Sequence, residues 1–221
     1  MKIKICGITS LQDARVALDL GAWALGFIFY KKSPRYIEFE KASNIISKLP
    51  ADANCVAVVV DELESNLNRI VDLGIRRFQF HGSEPASFCR HFGVPYWKAF
   101  SALKWWNLEG GEEASVARSA MQIFMKEELD QYPDAEAVLI DSGTADRPGG
   151  TGRLLPKEVL FQLRGQHERM ILAGGLNAEN VRSVVELIKP FAVDVSSGVE
   201  KSPGVKSPEK MRDFFNALKG V

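Results

Sequence analysis

MKIKICGITSLQDARVALDLGAWALGFIF, residues 1–29, is the stretch on which the fold turns. KIKIC (2–6) is a short strand-like run, LQDARVALDLG is an amphipathic helical pattern ending at Gly21, and WALGFIF (23–29) is a second apolar run. Strand, helix and strand in quick succession make a βαβ unit, which calls for parallel strands with the helix laid outside. Working outward, the same alternation recurs to the C-terminus. Further strands are expected at CVAVVVD (55–61), RRFQFH (76–81), YWKAFS (96–101), AVLID (137–141), MILAG (170–174) and FAVDVS (191–196). Between them lie the helical patterns FEKASNIISKL, LESNLNRIVDLG, EPASFCRHFG, EEASVARSAMQIFMKEELDQ, PKEVLFQLRG and NAENVRSVVELIK, with SPEKMRDFFNALK after the last strand. Gly21, Gly74, Gly93 and Gly165 stand where helix C-caps should fall. Eight units over 221 residues is about 28 residues each, and eight is the number that closes a (β/α)8 TIM barrel. No linker or composition shift divides the chain, so residues 1–221 are expected to form one α/β barrel domain.

The chain carries 28 Lys+Arg against 28 Asp+Glu. A zero balance argues against a broad electrostatic grip on nucleic acid or anionic lipid, so neither is expected as a partner. The longest strongly apolar stretch, residues 21–30, falls far short of the roughly 20 residues that span a bilayer. MKIKICGITS lacks the apolar region of a signal peptide. Cys6, Cys55 and Cys89 form no CxxC pair, which excludes a disulfide scaffold and a four-cysteine zinc site and fits a reducing, cytoplasmic compartment. Three histidines without ligand spacing make no metal expected.

In a parallel barrel the active face is built at the C-terminal ends of the strands and in the loops that follow them. On strand one, Ile3 and Ile5 share one face and Lys4 and Cys6 the other. The isoleucines belong against the outer helices, so Lys4 and Cys6 point inward. Asp194 and Ser196 share the inward face of strand eight, beside strand one, so Asp194 can pair with Lys4 at the substrate site. Cys6 is then either a small buried hydrophobe or a thiol at the catalytic end, with Gly7 leaving room above it. Asp141 closes AVLID and is either a turn cap or a functional carboxyl. It opens the glycine-rich loop SGTADRPGGTG, whose Gly149, Gly150 and Gly152 suit a flap closing over a ligand or a loose surface loop. In YKKSPRY, Arg35 stands at the active face, where its fork could hold a carboxylate. His81 either orients a substrate or bonds a neighbouring loop. Trp105 and Trp106 follow strand five, where loop packing outweighs stacking on a ligand.

Two short segments carry the strongest chemical signal. AGGLNAEN puts Gly174 and Gly175 after strand seven and Asn177 at a helix start. SSGVEKSPG puts Ser196, Ser197 and Gly198 after strand eight, before a possible short extra helix. Amides from two consecutive strand ends make an anion nest, so a small phosphorylated substrate is the expected partner.

KICGIT (4–9), KSPRYI (32–37), QFHG (79–82), LID (139–141) followed by PGGTG, LAGGL (172–176) and DVSSGVE (194–200) together resemble the phosphoribosylanthranilate isomerase family of tryptophan biosynthesis, over essentially the whole chain. The resemblance implies a cofactor-free Amadori rearrangement, with Cys6 as general base and Asp141 as general acid. A charged Lys4 would raise the thiolate fraction of Cys6, since an ordinary thiol with pKa about 8.5 is only slightly ionised at neutral pH. Two alternatives are a different phosphate-binding barrel isomerase or epimerase, and a barrel that binds phosphate without catalysis. The histidine-pathway isomerase pairs aspartates on strands one and five, where this chain has Cys6 and Ser101. A monomer is favoured over a homodimer.

Overall fold

The computed structural model describes residues 1–102, 104, 122–123, 125–142 and 154–221. Eight parallel strands pair in chain order: β1 (Lys2–Cys6), β2 (Ala24–Ile28), β3 (Cys55–Val59), β4 (Phe78–Phe80), β5 (Tyr96–Ser101), β6 (Ala137–Asp141), β7 (Met170–Leu172) and β8 (Ala192–Val195). β8 returns to pair with β1, Lys4 opposite Asp194, and closes the barrel. Outside run α1 (Leu11–Asp19), α2 (Phe39–Ile46), α3 (Glu64–Asp72), α4 (Ala86–Cys89), α5 (Lys157–Leu163), α6 (Val181–Ile188) and α7 (Pro208–Ala217). The fold is the (β/α)8 TIM barrel. Trp105 and Trp106, and the loop glycines 149, 150 and 152, lie outside the described residues.

Local chemistry accounts for the helix ends. Ser10 caps α1, its hydroxyl accepting from Asp13 N at 3.1 Å. Ser207 caps α7, with Pro208 at the first helical position, where its missing N–H would have had no partner. Gly21, Gly74, Gly93 and Gly165 all take the left-handed conformation that ends a helix.

Three local expectations need correction. α6 begins at Val181, not at Asn177; Asn177 opens a separate turn before it, its carboxamide accepting from Glu179 N and Asn180 N at 2.9 and 3.1 Å and its carbonyl from Val181 N at 3.0 Å. The segment after β8 holds no further α-helix. A single 3-10 turn (Ser197–Val199) leads into an antiparallel hairpin of β9 (Glu200–Ser202) and β10 (Val205–Lys206). EPASFCRHFG yields only the four-residue α4.

The strand parity divides the core in two. Ile3 and Ile5 pack outward with Ala14, Ala17, Met211 and Phe214 in the layer between barrel and helices. Ile5, Met211 and Phe214, fully buried, each contribute about 1.5–3 kcal/mol. Inside the barrel, Val56, Trp97, Leu139 and Ile171 pack among alanines, and Trp23 stacks on Trp97 with centroids 5.2 Å apart. Lys4, Cys6, Gln79, Asp141 and Asp194 are buried at the other polar end. That end, where the strands finish, is the floor of a cavity of about 460 Å³.

Candidate active site

Cys6 ends β1 on the face shared with Lys4 and is buried. Lys4 has no exposed surface and donates to Asp194 Oδ2 at 2.9 Å, the pair expected from strand parity. The second oxygen, Asp194 Oδ1, is buried with no hydrogen-bond partner. Burial alone would push Lys4 down, but Asp194 and Cys6 beside it outweigh that, and its pKa rises. Lys4 does act on Cys6 in the expected direction, lowering its pKa, but it does not act alone. Burial raises the Cys6 pKa by more than the Lys4 ammonium lowers it, so the resting thiol stays protonated.

Asp141 ends β6 with the inward parity of Ala137 and Leu139, and is buried. Its Oδ2 lies 3.9 Å from Nε2 of His81, which follows β4. Burial first, then the charges of Lys98 and Lys4, push His81 down to about 4. The imidazole facing Asp141 is therefore neutral at physiological pH. Gln79 Nε2 lies 3.4 Å from His81 Nδ1 and steadies the ring from the other side.

The loops after β7 and β8 lie against each other. Gly174 and Gly175 both have positive φ, and a side chain on Gly174 would collide with Ser142. Gly198 matters for closeness rather than for backbone sign: its φ is not positive, but a Cβ there would sit 1.9 Å from Leu176 O. Ser197 and Gly198 open a 3-10 turn, whose first N–H groups have no acceptor within the turn. The Ser196 hydroxyl faces elsewhere, donating to Cys6 O at 3.0 Å and tying the ends of β1 and β8 together.

Cys6, His81, Asp141 and Asp194 line the cavity together. So do Arg35 and, across the β7 and β8 loops, Gly174, Gly175, Ser196 and Ser197. Gly198 does not; it supports them from behind. Arg35 is buried while Lys31 and Lys32 are exposed. Its Nε and Nη2 donate to the two oxygens of Glu200 at 2.9 and 2.8 Å, so one edge of the fork is already occupied. Among the described residues no cluster of His, Cys, Asp and Glu could hold a metal ion, and no helix is long and apolar enough to cross a membrane.

Sequence reasoning missed three parts of this site. Gly26 on β2 leaves room for the thiol, since a Cβ there would lie 2.8 Å from Cys6 Sγ. Glu200 and Lys206 reach the site from the hairpin, where no strand periodicity points at them. The final Glu of DVSSGVE was the available signal. Lys98 and Glu84 form a buried pair at 3.0 Å beside His81.

A thiol and a carboxyl at the ends of β1 and β6 face one cavity beside glycine-rich loops, an arrangement that suits acid–base chemistry in a barrel enzyme. The model of the N-(5'-phosphoribosyl)anthranilate isomerase family matches residues 3–217, and the chain belongs to that family. It is an isomerase of tryptophan biosynthesis. The isomerase of Marinomonas sp. (strain MWYL1) is 39% identical over 219 residues, 99% of this chain and 98% of the relative. Among solved structures, the Thermotoga maritima isomerase is 34% identical over the whole of both chains with a TM-score of 0.81. The Thermus thermophilus isomerase is 36% identical over 99% of this chain and 98% of its own, with a TM-score of 0.79. A further isomerase, 33% identical over both full chains with a TM-score of 0.78, was solved with reduced 1-(o-carboxyphenylamino)-1-deoxyribulose 5-phosphate.

Proposed function

We propose that the chain converts N-(5'-phosphoribosyl)anthranilate to 1-(2-carboxyphenylamino)-1-deoxyribulose 5-phosphate, with Asp141 as general acid and Cys6 as general base. The observation that carries these roles is the meeting of both groups in one cavity, from the ends of two strands that are not neighbours in the barrel. Asp141 gives a proton to the furanose oxygen as the C1'–O bond breaks, and the nitrogen lone pair closes a C=N iminium. The Cys6 thiol releases its own proton to water, and the thiolate then takes the C2' proton; the C–H electrons form C1'=C2', and the iminium pair returns to nitrogen. The enol so formed tautomerises to the ketone. Only protons move, so the scheme calls for no cofactor.

The raised Cys6 pKa fits this order of events. The iminium brings a positive charge beside the thiol at the moment a base is needed, and a nearby cation favours the thiolate. The amides of Gly174, Gly175 and Ser197 suit the phosphate, with Gly198 allowing the two loops to close up behind them. The open edge of Arg35 suits the anthranilate carboxylate. Asp194 Oδ1 and His81 suit the sugar hydroxyls. The enzyme acts on a small phosphorylated molecule, and we take it to be a cytoplasmic monomer spanning one domain, with nucleic acid and membrane playing no part. All three cysteines are unpaired, as a reducing compartment leaves them; a Thermotoga maritima relative is dimeric, so sedimentation is the check on assembly.

Loss of substrate fluorescence on adding enzyme measures turnover directly. Cys6→Ala and Asp141→Asn should each lower kcat at least about 100-fold with ligand affinity largely kept. A Cys6→Ala enzyme retaining a tenth of wild-type kcat/KM, a loss of only about 1.4 kcal/mol, would remove Cys6 from the base role.

A further inference from the structure

Arg35 is held from behind by a carboxylate that no step of the reaction uses. Glu200 is buried at the start of β9, and both its oxygens are engaged. Oε2 accepts from Arg35 Nη2 at 2.8 Å; Oε1 accepts from Arg35 Nε at 2.9 Å, Lys206 Nζ at 2.8 Å and Gly204 N at 3.3 Å. Lys206 is itself buried and spends its other hydrogens on Ser196 O and Oγ, each at 3.3 Å, and Ser196 Oγ donates to the Cys6 carbonyl. A continuous set of bonds therefore runs from Arg35 through the hairpin to the end of β1. On the opposite side the Arg35 stem crosses Gly7, whose absent side chain would stand 2.8 Å from Arg35 Cδ.

We propose that Glu200 is a positioning residue for substrate selection: by occupying the Nε–Nη2 edge of Arg35 it turns the remaining N–H groups toward the ligand and makes the ligand's carboxylate the group that is selected. This rests on Arg35 receiving the anthranilate carboxylate, as proposed above. A guanidinium has five N–H donors in a rigid plane; Glu200 takes two on one edge and leaves three for a second acceptor. The charges agree. Arg35 and Lys206 against Glu200 leave one positive charge, which a ligand carboxylate would neutralise and an uncharged ring would not.

The competing expectation is that Glu200 repels the ligand's carboxylate, so that its removal would tighten binding. Two features weigh against this. Lys206 is held below its ordinary pKa by burial, which outweighs the pull of Glu200. Without that carboxylate burial acts with less opposition and pushes Lys206 further toward its neutral form, so the local charge rises by less than the loss of a full carboxylate would give. Arg35 cannot do the same. Removing Glu200 therefore changes orientation more than charge.

The test compares two inhibitors of turnover: reduced 1-(o-carboxyphenylamino)-1-deoxyribulose 5-phosphate and its phenylamino counterpart without the carboxyl group. The ratio of their inhibition constants is the carboxylate preference. Glu200→Gln should cut that preference about tenfold by weakening the carboxylated ligand alone. kcat should change less than about threefold, and inhibition by inorganic phosphate should stay as in wild type, which a general loosening of the site would not allow. Glu200→Asp, which keeps the charge and withdraws the fork by one methylene, should fall between the two. Arg35→Ala should abolish the preference. If Arg35→Ala abolishes it while Glu200→Gln leaves it unchanged or larger, the role of Glu200 is overturned and that of Arg35 stands. If Arg35→Ala leaves the preference intact, the carboxylate assignment fails first and this inference with it. Should Glu200→Gln not fold, a wild-type preference in Glu200→Asp overturns the proposal.

Discussion

Lys4→Met tests how the polar floor of the barrel is held. Methionine keeps the length of the lysine stem but removes the ammonium that bonds Asp194 Oδ2 at 2.9 Å. Asp194 Oδ1 already has no partner, so the variant leaves a buried carboxylate with neither oxygen bonded as now described. Breaking a buried ion pair from one side costs about 3–5 kcal/mol. For a chain of this size about 1 kcal/mol moves Tm by about 2–4 °C, so the expected fall is about 6–20 °C. Pairing Lys4→Met with Asp194→Leu removes both charges and should recover most of the loss, because an apolar pair needs no desolvation of ions. Urea unfolding followed by tryptophan fluorescence measures each variant and the cycle that links them. Trp23 and Trp97, stacked at the far end of the barrel, report on global unfolding. The double variant should be stable and yet nearly inactive, separating the pair's part in chemistry from its part in folding. A Lys4→Met protein within about 1 kcal/mol of wild type at unchanged m would refute the reasoning, since the carboxylate would then lack the uncompensated burial assigned to it.

Acid should weaken the protein through His81, whose pKa is about 4 in the fold against an ordinary 6.5. The unfolded chain binds the proton first as pH falls, so the contribution is intact above about 6.5 and is lost progressively toward 4, up to about 3 kcal/mol in all. His81→Gln should remove that part of the slope in urea titrations between pH 7.5 and 4.5; an unchanged slope would mean that His81 does not stay neutral in the fold. Gly198→Val forces a side chain onto Leu176 O, 1.9 Å from the required Cβ position, and should splay the β7 and β8 loops. We expect KM and the inhibition constant for inorganic phosphate to rise at least about tenfold, with the alkylation rate of Cys6 unchanged; wild-type phosphate inhibition would take the amides of these loops out of the phosphate site.

Strand parity read from the sequence carried much of the site. The alternation in KIKIC and AVDVS is enough to turn Lys4, Cys6 and Asp194 inward on neighbouring strands; the register that sets Lys4 opposite Asp194 belongs to the closed barrel. The side chains that steer Arg35 were not legible in the same way. Glu200 and Lys206 sit on a hairpin inserted between β8 and α7, and no period of two or 3.6 relates Glu200 to a residue 165 positions earlier in the chain. The ionisation of Cys6 was only half legible, for a related reason. A neighbouring lysine can be read from KIKIC, but the burial that outweighs it is a property of the closed barrel. Asn177 opens a turn of its own before α6, held by its side chain and by Val181 N on its carbonyl, a boundary that local patterning leaves undecided.

Closure through β1 and β8 sets the order in which a growing chain can become an enzyme. The Lys4–Asp194 and Cys6–Ser196 bonds each join residues 190 apart. At ribosomal speeds of about 5–20 residues per second, Lys4 waits about 10–40 s for its counter-ion to be made. Throughout that interval β1 is the open edge of an unfinished sheet, exposed to strands of other nascent chains. A lysine on its inner face is a charge that no intruding apolar strand can cover without loss, so it guards that edge against mispairing. The same ammonium later becomes the floor of the site, and the thiol beside it gains its surroundings only when the last strand has been added.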